Sequence, residues 1–254
     1  MKKILLFTLT VLLTINAQGQ TTLANETIQK KIEEFYPQTP DSSIYYLKAS
    51  LKTIPQTNDS LLVENLIKLG LSFALQQKKD STHFYLEKAI SSAKKDLILK
   101  GTAYQQWGRA HRDFGEYERA NSLLTIADSL FHEANHLPGT GMVLVQRATI
   151  NHYTQNIKTA IEQLQEAIEI FEETDHQQFL QIAQMELAAV YLMSGDYAFA
   201  KELYAQLLPA FEKDKEINYY ILLTNYGDTN FQLEEWEDAK KNIRQPMNIL
   251  KVII

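Results

Sequence analysis

The chain has no cysteine among its 254 residues, and only six prolines and nine glycines. Without cysteine there is no disulfide and no thiolate metal site. With so little glycine and proline there is no flexible linker to separate domains, and long stretches are free to be helical. Net positive charge is also missing. The chain has 25 Lys and Arg against 31 Asp and Glu, a formal charge of −6, which argues against nonspecific nucleic-acid binding. The long apolar run from Ile4 to Ile15 falls short of the roughly 20 residues an ordinary membrane span needs. No phosphate loop, nucleophile elbow or paired-carboxylate site is present, so neither an enzyme nor a cofactor is expected.

What is present begins with a leader. Lys2 and Lys3 precede the apolar run, and Ala17-Gln18-Gly19 offers small residues for a cut after Gly19. Residues 1–19 therefore read as a signal peptide. The expectation is an exported bacterial protein, periplasmic or extracellular, with no membrane span in the mature chain 20–254. Removing the leader takes away two lysines, and 23 basic against 31 acidic residues leave −8.

The rest is organised around GTAYQQWGRAHRDFGEYERANSLLTIADSLF, residues 101–131. Tyr104, Trp107 and His111 share a helical stripe, Phe114-Gly115-Glu116 breaks it, and Ala120, Leu124 and Ala127 start another. The spacing predicts two helices joined by a turn. The small residue of the first helix recurs at Gly70, Gly108, Ala148, Ala188 and Gly227, in steps of 38, 40, 40 and 39. The alanine of the second helix recurs at Ala120, Ala160, Ala200 and Ala239. A fixed period of this length marks a stacked repeat protein, in which each unit buries its apolar face only against its neighbours.

The strings WGRAHRDFGEYERA (107–120) and LAAVYLMSGDYAFAKELY (187–204) resemble the tetratricopeptide repeat family, whose usual period is about 34 residues. The resemblance implies an all-α fold, a right-handed α-solenoid of about six antiparallel helix pairs. The units are expected at about 20–56, 60–95, 99–134, 139–174, 178–213 and 217–254. It implies a non-enzymatic module binding a peptide or protein in a concave groove lined by the first helices. Exported arrays of this kind resemble the N-terminal halves of some bacterial sensor kinases and regulators, which suggests a sensory input. The alternative is a free-standing periplasmic scaffold for envelope assembly.

By that resemblance the groove candidates are Gln105, Arg109 and Arg112 in unit three and Val145, Thr149 and His152 in unit four. Unit five gives Ile182, Met185, Ala189 and Leu192, and unit six gives Thr224, Asp228 and Phe231. Arg109 and Arg112 form either a carboxylate-binding spot or a solvated face balanced by Asp113, Glu116 and Glu118. The lysine and asparagine of chaperone-binding repeats are replaced by Gln105 and Arg109. Unit five is apolar on both faces of its first helix, as in a helix that is buried or awaits a partner.

Four local expectations complete the reading. Pro37 and Pro40 end the first helix, and Asp41 caps the next, from Ser42 to Thr53. Arg147 and Asn151 put polar groups at packing positions, where they lie along the surface or are paired. His132-Glu133-Ala134-Asn135-His136 matches H-E-x-x-H, but Leu137-Pro138-Gly139 follows, so the histidines are read as an ordinary helix end and not as metal ligands. Pro246 is expected to break the last helix. The apolar end ILKVII then reads as an improper terminus and a route to self-association through the C-terminal unit.

Overall fold

The computed structural model describes residues 26–54, 58–212 and 217–253, with backbone alone at 217 and from 245 onward. The leader 1–19 lies outside the described residues, as do the side chains of the C-terminal ILKVII. Among the described residues there are twelve α-helices and no strand. They are α1 (26–35), α2 (Pro40–Ser50), α3 (Asp59–Leu75), α4 (Lys79–Ser92), α5 (Leu97–Asp113), α6 (Tyr117–Glu133), α7 (Leu137–Tyr153), α8 (Ile157–Glu173), α9 (Gln177–Ser194), α10 (Tyr197–Phe211), α11 (Ile217–Gln232) and α12 (Trp236–Ile253). Helices α3 and α4, α7 and α8, α9 and α10, and α11 and α12 pack as the consecutive pairs that the repeat predicts. The chain divides into two compact units, one up to Leu123 and one from Leu124.

In the first unit, α3 packs on α4, α4 on α5, and α3 on α5. Its core combines Val63, Leu66 and Ile67 of α3, Leu86 and Ala89 of α4, and Ala103, Trp107 and Ala110 of α5. Gly70 is buried at the α3–α4 crossing, and a Cβ there would stand 2.8 Å from Leu86 Cγ. A smaller cluster of Ile32, Leu47, Leu69 and Phe73 joins α1 and α2 to α3.

In the second unit, α7 packs on α8, α8 on α9, α9 on α10 and α10 on α11, with direct contacts of α9 to α7 and to α11. The first helices α7, α9 and α11 thus form one continuous layer. Ala148, Ala160, Ala188 and Ala200 are all fully buried. Gly227 meets α12 so closely that a Cβ would lie 2.5 Å from Ile243 Cγ1. These small residues sit where the recurrent positions of the sequence put them, and their size sets the approach of the helices.

The turns repeat as faithfully as the cores. Gln77, Gly115, Gln155, Gly195 and Glu234 all have positive φ at the end of a first helix, between 58° and 88°. The next N–H reaches back to a carbonyl of the helix: Lys78 to Phe73, Glu116 to His111, Asn156 to Asn151, Asp196 to Tyr191 and Glu235 to Asn230, at 2.8–3.0 Å. This is the left-handed closure that satisfies the last free carbonyls of a helix. Two glycines signal it in the sequence; the other three turns use side-chain-bearing residues.

Three expectations change or resolve. Helix α2 begins at Pro40 with Thr39 before it, so Asp41 lies in the first turn and is not the cap. Proline suits a first helical position because its missing N–H has no intrahelical partner to lose. Helix α12 continues from Trp236 to Ile253 and passes through Pro246 without ending. Arg147 is ion-paired, with Nη1 3.0 Å from Asp128 Oδ2 and Nη2 donating to Thr125 Oγ1 at 3.2 Å, while Asn151 donates to Gln163 Oε1 at 2.9 Å. The polar groups at the packing positions of α7 are paired, which removes most of the cost of burying them.

Candidate functional site

The layer of α7, α9 and α11 carries a cavity of about 330 Å³. Helix α7 contributes His152 and Tyr153; α9 contributes Met185, Glu186, Ala189, Leu192 and Met193; α11 contributes Ile221, Asn225 and Asp228. Positions 185, 189 and 192 on α9, and 221, 225 and 228 on α11, are spaced i, i+4, i+7, so each set is one helix face turned to the cavity. Ala189 provides depth. Met185, Leu192, Met193 and Ile221 supply apolar walls.

The polar groups are all rich in acceptors. Asp228 is exposed at the rim, yet burial of its carboxyl raises its pKa above the ordinary aspartate value, and no cation among the described residues offsets that. His152 is 8% exposed and stacks on Tyr153 with ring centroids 5.6 Å apart. Burial lowers its pKa, which keeps the imidazole neutral and leaves it one acceptor nitrogen. Beneath them, the fully buried Tyr204 hydroxyl approaches Asn225 without closing a hydrogen bond. Burial pushes this phenol well above its usual range, and the fields of Glu186 and Asp228 add to the effect. The described lining contains no lysine or arginine and no serine, threonine or cysteine nucleophile.

Of the candidate groove residues, the structure brings together His152, Met185, Ala189, Leu192 and Asp228. The others lie elsewhere. Val145 and Thr149 are buried in packing, Thr149 donating to the Val145 carbonyl at 2.9 Å. Ile182 packs on the α7–α8–α9 core. Thr224 is exposed and donates to the Tyr220 carbonyl at 2.8 Å. Phe231 is exposed and meets Trp236 edge to face at 5.1 Å. Tyr153, Glu186, Met193, Ile221 and Asn225 were not anticipated. Counting one period from unit to unit assumes that each helix meets the groove at the same level. The cavity instead crosses the layer obliquely, from the last turn of α7 to the middle of α11. The i, i+4, i+7 face of α11 that it uses starts at Ile221, one turn before Thr224.

The candidates of the first unit are organised differently. Gln105 is buried and its carbonyl accepts from the Gln106 amide at 2.9 Å. Arg112 grips Asp113 through Nε at 2.9 Å and Nη2 at 2.6 Å, and Arg109 Nε stands 3.9 Å from the same carboxylate. Both guanidinium groups converge on one residue of their own helix. Nearby, Lys79 and the buried His111 both donate to Glu116, which holds that carboxyl down at about 2. Asn58, Asp59, Lys94, Lys95 and Asp96 border an open hollow of about 610 Å³, but there Lys94 is paired with Asp59 at 2.7 Å.

The histidines of H-E-x-x-H do not share a helix. Glu133 ends α6, Asn135 takes φ 51°, and His136 caps α7, its Nδ1 accepting from the Gly139 N–H at 3.0 Å. His132 faces Asp128 at 3.6 Å on the outside of α6. Among the described residues, no three His, Cys, Asp or Glu side chains converge as a metal site. No helix among them is long and apolar enough to cross a membrane.

Residues 139–213 match the family model described as tetratricopeptide repeat. No curated protein matches the sequence. Among solved structures, the fold is similar to that of BtubC (BKLC) from P. vanneervenii, at 15% identity and TM-score 0.61, covering 89% of this chain and 92% of that one. It is similar to a signal transduction ATPase with numerous domains from Pyrococcus horikoshii that has a tetratricopeptide repeat sensor. That likeness has 15% identity and TM-score 0.64, over 90% of this chain and 34% of that one. A Rap protein complexed with Competence and Sporulation Factor shares 18% identity at TM-score 0.61, over 87% of this chain and 73% of the other.

Proposed function

We propose that this tetratricopeptide repeat chain is an exported, non-enzymatic module that holds a peptide or protein partner in the groove of α7, α9 and α11 and acts as the sensory input of a signalling protein. The repeats support a protein–protein interaction scaffold, since folds of this kind are generally non-catalytic. The observation that carries the groove is the conjunction of apolar walls, from Met185, Leu192, Met193 and Ile221, with the buried His152, which has no hydrogen-bond partner among the described residues, and with Asp228 at the rim. A buried polar group without a partner is costly unless something arrives to satisfy it. A sensory role is favoured by the likeness to an ATPase whose repeats are described as its sensor. Export rests on the basic, apolar and small-residue sequence of 1–19.

A photo-crosslinking amino acid at Ala189, in the cavity floor, tests the groove in the cells that make the protein. The expected result is a crosslink to another polypeptide that disappears when Met193 is changed to Arg. Crosslinks absent at Ala189 but present at Glu118, on the exposed outer face of α6, would refute the groove. A phosphatase active only outside the cytoplasm, fused after residue 254, should be active. Deleting 1–19 should abolish its activity.

A further inference from the structure

We infer that the groove of α7, α9 and α11 selects a segment bearing a basic side chain, arginine or lysine, flanked by apolar residues. This rests on the groove being the partner site and adds the chemistry of what enters it.

The argument starts from the balance of donors and acceptors. Asp228 offers a carboxylate, neutral His152 an imidazole nitrogen and Asn225 an amide oxygen. Glu186 adds a second carboxylate to the lining. An anionic occupant would meet two acids and no basic lining residue, and an occupant without polar groups would leave these acceptors dry. A guanidinium or an ammonium has donors only, and a guanidinium carries five of them in a plane.

The burial pattern points the same way. Asp228 has a raised pKa with burial as its cause, and no cation among the described residues offsets it. His152 is more than nine-tenths buried and lines the cavity with no hydrogen-bond partner among the described residues. Asp228 and the acceptor nitrogen of His152 therefore form a built site that a donor from the occupant would satisfy. The walls suit the rest of such a side chain: Met185, Leu192 and Ile221 flank the acceptors and would cover a methylene stem. Methionine is adaptable enough to accept either stem, and Met193, 64% exposed at the rim, would meet the neighbouring apolar residue.

The repeats of the first unit show the contrast on which specificity depends. There Lys79 is answered by Glu116, Lys94 by Asp59 and Arg112 by Asp113. Asp228 has no such answer among the described residues.

The test is selection of a random dodecapeptide phage library on the full chain, followed by fluorescence anisotropy with the recovered peptides. Recovered peptides should be enriched in Arg or Lys next to Leu, Ile, Met or Phe. Their affinity should drop at least tenfold with Asp228→Asn, recover with Asp228→Glu, and fall as salt rises from about 50 to 500 mM. Peptides without basic enrichment, or unaffected by Asp228→Asn, would overturn the inference. If those same peptides are lost with Ala189→Trp or Met193→Arg, the groove remains the partner site and only its cation preference is wrong. If neither blocking variant, each checked for helicity, affects any recovered peptide, or if none is recovered, the groove reading fails with it. Met193 is exposed, so its replacement leaves a folded control should Ala189→Trp disturb packing.

Discussion

Helix α5 in the first unit and helices α7 and α11 in the second present polar residues at matching places in the repeat, and the two regions treat them in opposite ways. On α5, Arg109 and Arg112 close on Asp113, and His111 closes on Glu116 together with Lys79. On α7 and α11, His152 and Asp228 line a cavity and have no ion-pair or hydrogen-bond partner among the described residues. The arginine pair is the more conspicuous feature in the sequence. Its geometry is nevertheless that of a local network, since two guanidinium groups share one carboxylate of their own helix. Conspicuous charge marks a binding surface only where neighbours leave it unanswered.

The strongest way to break this comparison is to exchange the charges. Asp228→Lys should lower the affinity for a basic peptide by about 100-fold, the order expected when an opposite charge becomes a like one at close range. The double variant Arg109→Ala, Arg112→Ala should leave it within about twofold. Anisotropy with the same peptide measures both. Equal losses would show that the two regions form one binding surface and would erase the distinction.

Packing should fail alike in both units. Gly70→Leu drives a side chain into Leu86, and Gly227→Leu drives one into Ile243. Each should cost about 1–3 kcal/mol by overpacking, read as a lower midpoint in urea. A much larger loss for one would show that its crossing supports neighbouring repeats as well as its own pair.

The fold was legible because repetition makes an error in one unit visible against the others. Gly70, Ala148, Ala188 and Gly227 recur in register, and each is buried where two helices cross. Capping and ends were less legible, since they depend on a single residue without a repeat to check it. Thr39 replaces Asp41 before α2, and α12 runs on through Pro246. Half of the candidate site was missed for a geometric reason. Register along one helix can be read from spacing, but the obliquity of a groove across three helices depends on how each repeat is rotated on the last. Ile221 and Asn225 therefore could not be told from Thr224 by counting. Arg147 shows the limit for pairing: its partner Asp128 lies on the preceding helix, 19 residues away.

Acid should reveal the internal networks in two stages. His111, His136 and His152 all have pKa values lowered chiefly by burial. The unfolded chain therefore takes up their protons first, and stability should begin to fall as pH drops through about 6.5. Glu116 behaves as a depressed carboxyl: hydrogen bonds from Lys79 and then His111 hold it at about 2 against an ordinary 4.5. Its contribution is present above the ordinary value and is lost as pH falls from 4.5 towards 2. Its side chain is 35% exposed, and solvent screening keeps the effect to about 1 kcal/mol. Glu116→Gln should flatten the second stage in a urea titration and, by removing the hydrogen bond that raises the pKa of His111, slightly deepen the first. His152→Gln should weaken the first stage, and a first stage that survives without any of the three histidines would locate the acid sensitivity elsewhere.

The smallest expected effect concerns the turns, where the two units can be compared at equivalent residues. Gly115 in the first unit has φ 75°, and Gln155 in the second has φ 65°. Glycine enters this region freely, whereas another residue incurs roughly 1–2 kcal/mol from the approach of its Cβ to the carbonyl oxygen. The two turns close with the same hydrogen bond, Glu116 N–H to the His111 carbonyl and Asn156 N–H to the Asn151 carbonyl, each at 2.8 Å. A Cβ at Gly115 would meet nothing within 4 Å, so the conformational cost is isolated from any clash. Gly115→Ala should therefore destabilise the protein by about 1 kcal/mol. Gln155→Gly should stabilise it by somewhat less, because the added freedom of glycine in the unfolded chain offsets part of the relief. Urea midpoints of the two variants, taken with that of the double variant, decide the matter. Opposite and additive shifts would show that the period-40 turns are conformationally equivalent whichever residue fills them. A destabilising Gln155→Gly would mean that the Gln155 side chain contributes more than the strain of its backbone costs.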